Sequence, residues 1–155
     1  MKHTDINFIF STLWSKISPE NEWQIERRMG DFHLIKYNGF RFSSDQFNQF
    51  HDESMSFLKR ELESKTTNKT VVVTHHAPTF LYYPEKFKGD LLNEAFAIEL
   101  FDFIESSGPD YWIYGHHHSN TPDFSIGKTR LVTNQLGYIE SNEHYLFSTE
   151  KVFEL

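Results

Sequence analysis

Two rhythms of apolar and polar residues run along this chain. The stretch INFIFSTLW, Ile6 to Trp14, is dense in β-branched and aromatic residues and stops before Ser18-Pro19, so it predicts a strand. HLIKY, His33 to Tyr37, predicts a second short strand closed by a turn at Asn38-Gly39. From Ser43 the period changes. Ser43-x-x-Gln46 has the form of a capping box, and Phe47, Phe50, Leu58 and Leu62 share one helical face opposite Lys, Arg and Glu. That spacing predicts an amphipathic helix of about five turns.

TVVVTHHAP, Thr70 to Pro78, shows no alternation, the pattern of a strand buried on both faces. Asp90 can cap a helix whose buried stripe is Leu92, Phe96, Leu100 and Phe103, and Gly108-Pro109 ends it. YWIY, Tyr111 to Tyr114, follows at once as another apolar run, which predicts a βαβ crossover and a parallel pair. Beyond it, DFSI and TRLVT flank a Gly127-Lys128 hairpin turn, and HYLFS and KVFEL are expected to complete an antiparallel meander. No repeat or linker interrupts the pattern, so residues 1–155 read as a single α/β domain.

Composition narrows the chemistry. There is no cysteine, which excludes disulfides and thiolate metal sites and leaves nitrogen and oxygen donors. A net charge of -7 argues against a grip on a nucleic-acid polymer, which needs clustered Lys and Arg, but suits a small substrate. No run approaches a membrane span and the start has no signal-peptide pattern, so the expected location is cytoplasmic.

The strand ends then change the picture. Five of the nine histidines sit at two of them: His75 and His76 after TVVVT, and His116, His117 and His118 after YWIY. Ligands bind in the crevice at the carboxyl ends of neighbouring parallel strands. If these two strands are neighbours, the histidines face one another there. On an extended segment residues i and i+2 point the same way, so His116 and His118 are expected to converge while His117 turns aside. His3, His33, His51 and His144 read as ordinary surface or core residues.

VVVTHHAP followed by WIYGHHH resembles the C-terminal motifs of the calcineurin-like metallophosphoesterases, an H-x-P-type strand end followed by G-H-x-H. The resemblance extends to STLW and NQLGY and spans essentially the whole chain. It implies part of the four-layer α/β/β/α sandwich of the metallo-dependent phosphatases, and hydrolysis of a phosphomonoester or phosphodiester at a two-metal site. By matching position, it implies that His75 and His116 bind one metal and His118 the other. His76 and His117 occupy non-ligand places, where they would support the ligands or face the phosphate. The cofactors implied are divalent ions, Mn, Fe, Zn or Co, and the partner is a small phosphorylated substrate.

The family's N-terminal D-x-H, its G-D and its G-N-H-[DE] are not matched. GDFH, Gly30 to His33, mimics two of them but follows the polar ERRM, so Asp31 and His33 read as coincidence; Asn142-Glu143-His144 has the wrong order. The chain therefore resembles the C-terminal part of a metallophosphoesterase domain, with its N-terminal half expected in the complete polypeptide or supplied in trans. The alternative is a non-catalytic metal-binding or self-assembling domain, expected to form a homodimer through an exposed sheet edge. A third expectation is weak hydrolysis by one ion held by His75, His116 and His118 together.

Overall fold

The computed structural model describes residues 5–64 and 69–154. Its centre is a five-stranded sheet in the order β1-β4-β5-β7-β6, made of β1 (Ile6–Ser11), β4 (Lys69–Thr74), β5 (Tyr111–Ile113), β6 (Phe124–Ile126) and β7 (Thr129–Val132). A separate two-stranded ribbon pairs β2 (Lys36–Tyr37) with β3 (Phe40–Arg41). The helices are α1 (Glu22–Arg28), α2 (Asp31–Leu34), α3 (Ser44–Glu63) and α4 (Phe101–Ser107). This is an α/β fold with a parallel core. β1, β4, β5 and β7 run parallel, and β6 alone is antiparallel, to β7.

The long helix forms where its pattern predicts. Ser43 Oγ accepts from the Gln46 amide while Gln46 Oε1 accepts from the Ser43 amide, a reciprocal cap that satisfies two otherwise orphaned donors. Phe47, Leu58 and Leu62 are buried, and Phe50 is partly so. Leu58 and Leu62 pack in one core with Ile9, Val72, Trp112 and Leu131, the rung of side chains that β1, β4, β5 and β7 present to the helices. Trp112 is fully buried, and its indole N–H donates to Thr74 Oγ1 at 3.0 Å, so the largest core side chain leaves no unsatisfied donor.

Several predicted elements differ. The first strand ends at Ser11, and His33 lies in α2, with only Lys36 and Tyr37 of that segment in a strand. The helix expected after Asp90 is broken. Asp90 does cap a turn, accepting from the Leu92 amide, but the turn is 3-10 and ends at Ala95. Ala97 then makes a parallel bridge to Ala77, and α4 begins only at Phe101. The chain crosses back with an extended segment that fastens the loop after β4, because the Ala77 amide donates to the Phe96 carbonyl and the Ile98 amide to the Ala77 carbonyl. α4 ends as predicted, at Gly108 in the left-handed conformation that glycine tolerates.

The meander is corrected too. The hairpin turns at Gly127-Lys128, but β7 inserts between β5 and β6 and pairs parallel to β5. HYLFS begins in a 3-10 turn, Glu143–Leu146, and Lys151 to Glu154 form no strand. A C-terminal segment that bonds through side chains replaces those strands: Lys151 Nζ reaches Asp123 and the Thr133 carbonyl, and the Tyr111 hydroxyl donates to the Glu154 carbonyl. Among the described residues, no helix is long and apolar enough to cross a membrane.

Candidate functional site

The site lies at the carboxyl ends of β4 and β5, which are neighbours and parallel. The Thr12 carbonyl, just past β1, accepts from the amides of both His75 and His76, and the Gly115 amide donates to the His75 carbonyl. Three successive strands thereby fix the backbone that carries the histidines. Asp110, just before β5, ties the other end of that strand to β4 and β7: its carboxylate accepts from the Thr70 amide and its carbonyl from the Arg130 amide.

The loop after β5 is not extended. His116 has φ 75° and His118 φ 49°, both left-handed, a conformation that costs a non-glycine residue on the order of 1–3 kcal/mol and tends to collect at functional sites. The expected i, i+2 alternation therefore does not aim these rings; the left-handed turns do. Gln135 helps hold them, its Oε1 accepting from the His118 amide at 2.9 Å.

Each histidine has a distinct place. His75 Nε2 and His116 Nδ1 meet at 2.8 Å, one donating and the other accepting, and the rings stand edge to face. His118 lies on the same pocket wall, but its Nδ1 is 3.1 Å from Glu143 Oε2 and its ring stands on edge against Tyr138. His76 is not on that wall. It is buried behind it, stacked on His116, with Nδ1 accepting from the Ser15 amide at 3.3 Å and Ser15 Oγ 3.1 Å away. His117 reaches the wall but is buried between Tyr83 and Tyr114, and its Nδ1 accepts from the Ser119 amide. The pocket has a volume of about 420 Å³ and also includes Phe87, Phe96, Tyr138 and Glu143.

Burial keeps these rings neutral. It is the largest influence on His76, pushed down to about 2, on His116, pushed down to about 3, and on His117, pushed down to about 4; for His76 and His116 neighbouring histidines add to it. His75 is lowered by burial and by His118, partly opposed by the Asp31 carboxylate. Neutral imidazole is the form that binds a metal.

The donor chemistry fits one side of a metal centre. His116 meets His75 through Nδ1, while its Nε2 is buried without a hydrogen-bond partner and takes no part in the pair. The two ring nitrogens at 2.8 Å share a single proton, a place a divalent ion could occupy with modest ring rotation, since Zn–N bonds run to about 2.0–2.1 Å. Yet among the described residues no three His, Asp or Glu side chains converge as a ready-made cage. His75 and His116 meet; His118 shares their pocket without joining the pair.

Other sequence candidates fall into structural roles. Asn120 exchanges two bonds with the Gln135 backbone, and Asn134 does the same with Ser148. Arg130 pairs with Asp123. Phe87 lines the pocket and Tyr83 packs beneath it, whereas Phe80 and Tyr82 are exposed. His51 is a core residue bonded to the Trp14 carbonyl, and His33 is exposed; His3 lies outside the described residues. Glu143 is the residue the pattern missed, because it sits in an irregular turn 25 positions from the histidine it touches. Asp31, set aside as a coincidence, lies near enough for its charge to act on His75.

Comparison with known proteins gives the chain's family. A protein of Acanthamoeba polyphaga mimivirus, itself described only as uncharacterized, is 32% identical over an alignment of 152 residues covering 91% of this chain and 53% of its own length. The chain thus spans about half the length of that relative. No solved structure matches. The model of the calcineurin-like phosphoesterases matches residues 8–120, from β1 through the third of the successive histidines, and the chain belongs to that family.

Proposed function

We propose that this chain contributes the histidine side of a metal-dependent phosphoesterase site that hydrolyses small phosphomonoesters or phosphodiesters. The observation that carries the reading is the meeting of His75 Nε2 and His116 Nδ1 at 2.8 Å, two residues of the family-matched region that come from the ends of neighbouring parallel strands and line one pocket. His75 and His116 would hold one ion, and His118 would face it or a second. When bound, such an ion lowers the pKa of a coordinated water and neutralises charge developing on the phosphate.

The chain's own residues do the rest. Buried His76 stacks against His116 and fixes its plane. Phe87, Phe96 and Tyr138 wall a volume suited to a small ligand. The remaining donors would come from outside the described residues or from substrate.

The test is metal content after equilibration with Zn²⁺ or Mn²⁺ and dialysis, together with hydrolysis of bis(p-nitrophenyl) phosphate. About one ion per chain, lost in both His75→Ala and His116→Ala, is the expected result. An ion-free wild-type chain without turnover would remove the proposal. The second reading, a non-catalytic self-associating domain, draws on the lack of a converging third donor among the described residues and on the exposure of Phe8 and Phe10; it predicts a dimer in sedimentation with bound metal but no turnover.

A further inference from the structure

The geometry points to Glu143 as a positioning residue that sets the tautomer of His118. This inference rests on the proposed metal-dependent reading and deepens it. Glu143 Oε2 accepts two bonds: one from His118 Nδ1 at 3.1 Å and one from the Tyr138 amide at 2.8 Å. An ionised carboxylate only accepts, so His118 must carry its proton on Nδ1 to make this bond. The lone pair of the neutral ring is then on Nε2. A histidine that binds a metal through one nitrogen commonly donates its other N–H to a carboxylate, which fixes the ring and raises its basicity.

Three features show the contact is built. The Tyr138 ring stands against His118 at 4.7 Å between centroids and 79° between planes, which limits rotation of the imidazole. Gly137 allows the close approach. It has φ +63°, and a Cβ there would lie 2.5 Å from Glu143 Cβ and 3.3 Å from His118 Cβ. Any side chain at 137 would push the carboxylate and the ring apart. Asn142, left-handed at φ 56°, turns the chain so that Glu143 faces back into the site.

The sequence order Asn142-Glu143-His144 matches no ligand motif, and the role assigned here needs none. Glu143 acts through His118, and the same two residues line the pocket together with His75 and His116.

The experiment reads the tautomer and the affinity separately. Two-bond ¹H–¹⁵N correlation on the metal-free 155-residue chain should show His118 with its proton on Nδ1. In Glu143→Ala the population should move toward the Nε2–H form, while Glu143→Gln, which keeps an accepting oxygen, should largely restore the wild-type pattern. Zn²⁺ competition titration should show affinity falling about 10–100-fold in Glu143→Ala, with a smaller loss in Glu143→Gln. Gly137→Ala should change the tautomer in the same direction as Glu143→Ala. A wild-type His118 protonated on Nε2, or a Glu143→Ala chain with an unchanged tautomer, would overturn the inference. If the tautomer responds as expected but the wild-type chain binds no Zn²⁺, the parent proposal fails and the Glu143–His118 contact stands as an orienting device alone.

Discussion

The two faces of the central sheet are covered very differently. On one face Ile9, Val72, Trp112 and Leu131 form a single rung, each 3% exposed or less, sealed by Leu58 and Leu62 of α3 and Ile104 of α4. On the other face the adjacent rung begins with Phe8, which is 49% exposed, and Phe10 on the same strand is 66% exposed. There the C-terminal segment covers only the middle of the sheet, where Phe153 stacks on Tyr111. Parallel strands are almost always covered on both sides. The contrast shows that the helices close one face of the sheet that carries the histidines, while the second face keeps apolar surface available for burial.

The largest effect should come from the closed face. Trp112→Ala removes a fully buried ring and leaves Thr74 Oγ1 without its donor, and a loss of about 3–5 kcal/mol is expected in urea denaturation. A loss below about 1 kcal/mol would mean this face is not the main core.

Acid should have an intermediate effect, and His51 isolates it. This buried ring sits against the Trp14 carbonyl at 2.6 Å and is lowered chiefly by burial. Both folded and unfolded states are neutral at His51 above about pH 6.5, so it has no pH effect there. Below that the unfolded chain takes up a proton that the folded one refuses, so stability falls with decreasing pH. The slope from this residue stays below the one-proton limit of about 1.4 kcal/mol per pH unit and disappears once the folded ring also protonates. His51→Gln should flatten the stability profile between pH 6 and 5; an unchanged slope would show that the ring is solvated when folded.

The smallest effect on stability should come from the open face. Phe8→Ser with Phe10→Ser should change unfolding free energy by about 0.5 kcal/mol or less per site, the usual range for surface positions. Sedimentation of the same variant sharpens the comparison. A dimer in the wild type that becomes a monomer in the variant would show that the open face is the one buried on association.

What the pattern of residues made legible followed from local physics. The capping box at Ser43 and the apolar stripe of α3 are interactions within a few residues of one another, so their spacing reveals them. The continuous apolar runs of β4 and β5 exposed the parallel pair, and with it the meeting of His75 and His116. The break after Ala95 was not legible, because Leu92, Phe96, Leu100 and Phe103 keep helical spacing while Ala97 finds a better partner in Ala77. Nor was the place of β7, since the hairpin pattern says which strands join and not which neighbour they adopt.

The candidate site divides in the same way. Residue types and spacing along the chain were enough to name the imidazoles, because a histidine's chemistry travels with its identity and a strand end is a local feature. Only the folded molecule separates them: His75 and His116 bonded to each other, His76 buried beneath, His117 tied into its own loop, and His118 held by Glu143. Those differences arise from left-handed backbone at His116 and His118 and from contacts between residues far apart in the chain. Packing sets such contacts across many competing partners, and periodicity carries no record of that competition.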